Sequence, residues 1–156
     1  MKLKGLVDED FINYKLPSMY LIMPYCTFKC DEECGRPVCQ NSALASADII
    51  TISSQDIITR YDANPISKAI VFGGLEPFDS VELSTFIMFF RQGHYDDIVI
   101  YTGYTEEEVK EKFPWIFLYE NIIIKFGRFI PDQESHYDEV LGVKLASPNQ
   151  YAKRFE

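Results

Sequence analysis

Histidine is nearly missing from this chain: among 156 residues there are only His94 and His136. Both fall in polar stretches and are expected at the surface. With so little histidine the chain offers no Ser, His and Asp arrangement for acyl transfer, and no phosphate-cradling glycine loop accompanies a lysine. Long apolar runs are missing too, and none is of bilayer length. The first fifteen residues, MKLKGLVDEDFINYK, lack the apolar core of a secretory signal. A cytoplasmic protein without a membrane anchor is therefore expected. Positive charge is in short supply: 15 Lys and Arg stand against 24 Asp and Glu, a formal net charge of −9. Such a chain repels phosphate backbones, so nucleic acid is not an expected partner. Repeats and low-complexity tracts are absent, and the length suits one domain over 1–156.

Cysteine is scarce as well, but its four residues are concentrated. Cys26, Cys30, Cys34 and Cys39 all lie in the segment 26–41, CTFKCDEECGRPVCQN. In a reducing cytosol such a cluster points to metal binding or chemistry rather than to a disulfide staple. Structural zinc sites favour pairs spaced C-x2-C; here the gaps are three, three and four residues. Iron–sulfur clusters also take thiolates, and a cluster held by three of them leaves one iron open to a ligand. Spacing alone leaves both zinc and an iron–sulfur cluster open.

The periodicity predicts alternating strands and helices. Strands are expected at 18–25 (SMYLIMPY), 68–74 (KAIVFGG), 96–103 and 121–129, with a last one around Val143 to Ala146. Helices are expected over SSQDIITRYDAN, capped by Ser53 or Ser54, over 79–93, and over 105–113, where Thr105 and Glu108 form a capping box. Phe86, Phe89 and Phe90 are read as core or interface, and the acidic run 106–108 as a complement to a helix dipole. Continuous apolar strands alternating with helices predict an α/β fold with a mainly parallel sheet, a small partial (β/α) barrel. Sites in such sheets gather at the C-terminal strand ends. The cysteine segment, the Gly73 and Gly74 loop and the TGYT turn all follow strands and are expected at one edge.

These motifs carry a resemblance. Cys26-x3-Cys30 after a buried strand resembles the first half of the C-x3-C-x2-C signature of the radical S-adenosylmethionine superfamily. FGGLEPF (72–78) is similar to that superfamily's Gly-Gly-Glu-Pro loop, with Leu75 as an extra residue. YTGYTEEEV (101–109), GRFI (127–130), LASPNQ (145–150) and the lead-in DEDFINYKLPSMYLIMPYC resemble the anaerobic ribonucleoside-triphosphate reductase activating proteins, a branch whose size the chain also matches. Two departures stand out. Eight residues separate Cys30 from Cys39, where the signature has two, and Phe126 occupies the place of the branch's Asp before the Gly.

The resemblance implies a radical S-adenosylmethionine fold and a 4Fe-4S cluster on Cys26, Cys30 and Cys39. Cys39 is preferred because CQN matches the Cys-x-Asn of activating enzymes; Cys34 is the alternative third ligand. It further implies S-adenosylmethionine bound by Val38, Asn41, Gly73, Gly74, Glu76, Tyr101 and Thr102. The implied activity is reductive cleavage of S-adenosylmethionine, with generation of a glycyl radical on an anaerobic ribonucleoside-triphosphate reductase. The electron would come from a one-electron donor such as flavodoxin or ferredoxin. The alternatives are activation of another glycyl-radical enzyme and, in a different class, a non-catalytic zinc-binding adaptor. No part is assigned to Arg128 beyond pairing with a carboxylate or a partner.

Overall fold

The computed structural model describes residues 1–26, 29–37 and 42–156, the side chains of Lys29, Cys30 and Ser42 excepted. The strands are β1 (Lys2–Leu3), β2 (Gly5–Asp10), β3 (Ser18–Met23), β4 (Ile50–Thr51), β5 (Ala69–Gly74), β6 (Asp97–Tyr101), β7 (Ile122–Phe126), β8 (His136–Asp138), β9 (Val143–Leu145) and β10 (Tyr151–Phe155). The α-helices among the described residues are α1 (Lys29–Cys34), α2 (Ser54–Ala63), α3 (Glu82–Phe90) and α4 (Glu106–Lys112).

Six strands form one sheet in the order β10-β7-β6-β5-β3-β2. Its four inner strands, β3, β5, β6 and β7, run parallel and lie side by side in chain order. The edge strands β2 and β10 are antiparallel to their neighbours. The sheet is therefore mainly parallel and open, and it does not close into a barrel. Parallel neighbours require crossovers, and α2, α3 and α4 supply them.

Side-chain alternation explains the layering. Ile70, Phe72, Ile98, Ile100, Ile122 and Ile124 face the helices and pack with Ile57, Leu83, Phe86, Ile87, Phe90 and Val109. All three crossover helices thus cover the same face. The intervening positions, Ala69, Val71, Val99 and Ile123, face the other way and pack with Tyr14, Leu141 and Leu145. That second face is covered by the segment after β2 and by the β8–β9 hairpin, which are joined where Lys15 N–H donates to the Leu141 carbonyl at 2.8 Å.

The helix signals hold. Ser53 Oγ accepts from Asp56 N–H at 3.1 Å, and the capping box of Thr105 and Glu108 is formed on both sides. The strand expected around Val143 is present as β9, which pairs with β8 outside the central sheet. Other expectations need correction. Tyr151–Phe155, unassigned on the sequence, is the sheet's last strand. The histidines are not plain surface residues: His94 stacks on Phe90 with ring centroids 4.4 Å apart, and His136 Nε2 lies 2.8 Å from the Gln150 carbonyl. Of the phenylalanine stripe, Phe86 and Phe90 are core and Phe89 is exposed. No described helix is long and apolar enough to cross a membrane.

Candidate functional site

The parallel strands end together, and their exits enclose a cavity of about 430 Å³, within the range of small-molecule sites. Tyr20 of β3 and Cys26 beyond it contribute to the wall, followed by residues 74–76 from β5, 101–103 from β6, and Lys125 with Gly127 from β7. The other side is closed by Ile12 and Asn13 and by residues 143–146 of the hairpin. Five residues singled out on the sequence, Cys26, Gly74, Glu76, Tyr101 and Thr102, therefore share one cavity.

The two glycines are demanded first by the protein's own packing. Gly74 has φ of +81°, a conformation that side-chain-bearing residues rarely adopt. A Cβ there would also lie 2.6 Å from Ile22 Cγ2. Gly73 lies beneath the Tyr20 ring, where a Cβ would stand 2.8 Å from the phenolic oxygen. Gly73 is thus behind the cavity wall.

Glu76 binds two strand exits together. Its Oε1 accepts from Gly103 N–H at 2.7 Å and its Oε2 from Phe78 N–H at 3.0 Å, while Thr102 Oγ1 lies within 2.9 Å of both oxygens. Burial pushes its carboxyl up to about 7, although these donors pull the other way. Its own N–H donates to the Tyr25 carbonyl at 2.7 Å, so the β5 exit is also tied to the residue before Cys26. Tyr101 donates its hydroxyl to the Asn13 carbonyl, which fixes the covering segment.

Lys125 and Tyr20 are among the wall residues that were not picked out on the sequence. Lys125 is only 7% exposed and points to the same face as Ile123. Its ammonium donates to the Gly127 carbonyl at 3.1 Å and lies 6.0 Å from the Tyr101 ring centroid. A single lysine inside the run IIIKF was the available signal. Tyr20, whose hydroxyl is pushed up to about 12 by burial and then by Asp10, had no such signal in an apolar strand. Glu106 does more than complement a helix dipole: it is buried, receives the Tyr151 hydroxyl at 2.8 Å and pairs with Lys110 and Lys153. Phe126 is buried in the helix-side core against Tyr151 and Phe155, where a carboxylate would be unsolvated.

Of the cysteines, Cys26 and Cys34 are half-buried. Cys30 lies on α1, its side chain outside the described residues, and Val38, Cys39 and Asn41 are outside them altogether. Among the described residues no three His, Cys, Asp or Glu side chains are grouped to hold a metal ion. The donor chemistry of the segment nevertheless suits an iron–sulfur cluster. Cys26 stands in the wall of a small-molecule-sized cavity, and α1, which carries Cys30 and Cys34, follows it within three residues. No family model matches the chain, and no curated protein or solved structure matches it significantly.

Proposed function

We propose that this protein is a radical S-adenosylmethionine activase that generates a glycyl radical on an anaerobic ribonucleoside-triphosphate reductase. The observation that carries the reading is the cavity: Cys26, the second glycine of the β5 exit and the Thr102–Gly103 turn, far apart in sequence, line one space at the C-terminal end of a parallel sheet. Cys26, Cys30 and Cys39 would hold the 4Fe-4S cluster, with Cys34 as the alternative to Cys39. When bound, the cluster supplies the electron that splits the sulfonium of S-adenosylmethionine.

The chain's own residues bind, orient and shield. Residues 74 and 75 border the cavity, and backbone carbonyls there would suit the ammonium of the amino-acid moiety. Lys125 gives the opposite wall a fixed positive charge suited to its carboxylate. Through the resemblance Val38 is assigned to the adenine and Asn41 to S-adenosylmethionine binding. Glu76 and Thr102 hold the β5 and β6 exits at a fixed separation, so the wall is formed before ligand arrives. Tyr20, Tyr101 and the hairpin cover the sheet face and exclude water from the reacting centre. The partner's glycine would enter from the mouth of the cavity.

The test is electron paramagnetic resonance on the reduced, iron-loaded protein mixed with S-adenosylmethionine and the reductase subunit. A glycyl-radical doublet on the reductase is expected. Cleavage of S-adenosylmethionine with no doublet would refute the assigned substrate and leave the cleavage chemistry standing.

A further inference from the structure

We propose that Arg128 is a positioning residue that braces the cysteine-bearing helix α1 against the rim of the sheet. Arg128 follows β7 and is only 8% exposed. Its Nη2 makes contacts of 3.0 Å to both carboxylate oxygens of Glu108. Its Nε lies 3.1 Å from Oε1 of Glu33, which belongs to α1. One guanidinium therefore joins three elements: the β7 exit, the first turn of α4 and the cysteine helix.

Both ends of the brace are anchored. Glu108 Oε2 also accepts from Thr105 N–H at 3.0 Å, as the capping-box partner of α4. The Arg128 carbonyl accepts from Asn149 Nδ2 at 2.9 Å, which holds its backbone to the start of β10. Arg36, just past α1, pairs with Asp132 at 3.3 Å, a second and more exposed tie from the cysteine segment to the same β7 exit. Glu33 stands between Cys30 and Cys34, so whatever fixes Glu33 fixes the helical turn that carries both thiols. Nη2 meets both oxygens of Glu108, while the contact of Nε with Glu33 is an ion pair without hydrogen-bond geometry, so it is charge that holds α1 and a lysine at this position would keep part of it.

Electrostatics gives the brace a signature. Among the described residues, the Arg128 guanidinium stands against the carboxylates of Glu33 and Glu108. Removing Glu33 leaves a matched pair of Arg128 with Glu108. Removing Arg128 leaves the carboxylates of Glu33 and Glu108 without the charge between them, and their repulsion drives α1 outward. The single loss of Arg128 should therefore loosen α1 more than the loss of both Arg128 and Glu33. A simple loss of packing would give the reverse order.

The inference rests on the proposed reading only for what α1 is held to do; the brace itself is read on metal-free protein. Hydrogen exchange of the 29–37 peptide is compared across parent, Arg128→Gln, Arg128→Lys, Glu33→Gln and the double variant Arg128→Gln with Glu33→Gln, with peptides from β5 and β6 as an internal control. Exchange in 29–37 should rise at least about threefold in Arg128→Gln, less in the double variant and in Glu33→Gln, which lose the tie without setting two carboxylates against each other, and least in Arg128→Lys, with the control strands unchanged. Equal exchange in parent and Arg128→Gln, a double variant looser than Arg128→Gln, or an equal rise in the control strands would each overturn the brace. Iron bound per chain after anaerobic reconstitution then tests the underlying reading separately. A parent that binds no iron while the exchange order holds would remove the cluster and keep the brace.

Discussion

At the scale of single residues, the double glycine separates two demands that the sequence merges. A Gly-Gly after a strand reads as room for a ligand, yet the neighbours that exclude a side chain here are Tyr20 and Ile22. Gly74→Val is expected to destabilise the fold by about 2 kcal/mol or more, since it combines a left-handed φ with a 2.6 Å approach to Ile22. Thermal melting of the metal-free variant checks this; an unchanged midpoint would show that the loop rearranges freely. Weakened S-adenosylmethionine binding by that variant would therefore not by itself prove backbone contact with the ligand. Gly103 is the contrasting case. A Cβ there would stand 3.6 Å from Glu76 Oε1, an ordinary contact.

Glu76 gives the residue scale its pH dependence. Its carboxyl is held up to about 7 in the folded chain, against an ordinary 4.5, chiefly by burial. The folded state therefore keeps a proton that the unfolded chain has lost across that interval. The stability this contributes is complete below about pH 4.5 and is lost as pH rises through 7. The melting midpoint of the parent should fall between pH 5 and 8, and Glu76→Gln, which cannot titrate, should show a shallower fall. Parallel profiles for parent and variant would mean that Glu76 holds the same proton in both states. Thr102 and Gly103 were legible as a turn, but their bonds to Glu76, some 26 residues away, were not. A long-range carboxylate clamp has no local pattern.

Among elements, legibility followed periodicity and capping. Strands β3, β5, β6 and β7 were visible because both faces are largely buried and their runs are mostly apolar, Lys125 in β7 being the exception. Helices α2 and α4 were visible through their caps. The edge strands were not. β2 reads GLVDED and β10 reads YAKRF, sequences whose charges blunt an open edge and erase the apolar pattern. The short helix α1 was hidden inside a charged segment with no apolar periodicity, and Gly35 closes it with φ of +68°. That segment carries the sharpest element-scale prediction. Each cysteine is replaced by Ala and iron is counted after anaerobic reconstitution. Cys26→Ala, Cys30→Ala and Cys39→Ala should each lose the iron, and Cys34→Ala should keep it. Loss with Cys34→Ala and retention with Cys39→Ala would exchange the two assignments.

Seen as a whole, the molecule is an open, mainly parallel sheet with its crossover helices on one face and its candidate site at one edge. This arrangement was legible because chain order equals spatial order for the four parallel strands, so strand exits in sequence become neighbours in space. What covers the second face was not legible. The segment 11–16 and the β8–β9 hairpin are held by a few scattered apolar side chains, Tyr14, Leu141 and Leu145, and by long-range polar contacts such as Tyr14 to Asp97 at 2.7 Å, which leave no periodic trace. The proposed chemistry needs both halves: the cavity that the strand exits form, and a cluster on the cysteine segment beside it.

The most direct test uses the iron-reconstituted protein, reduced under anaerobic conditions and supplied with S-adenosylmethionine alone, with the nucleoside products separated by chromatography. The account predicts 5′-deoxyadenosine and methionine in equal amounts, formed by the iron-loaded protein and not by the metal-free one. A protein that takes up zinc in place of iron and sulfide, or one that binds iron and sulfide but leaves S-adenosylmethionine uncleaved after reduction, would contradict it.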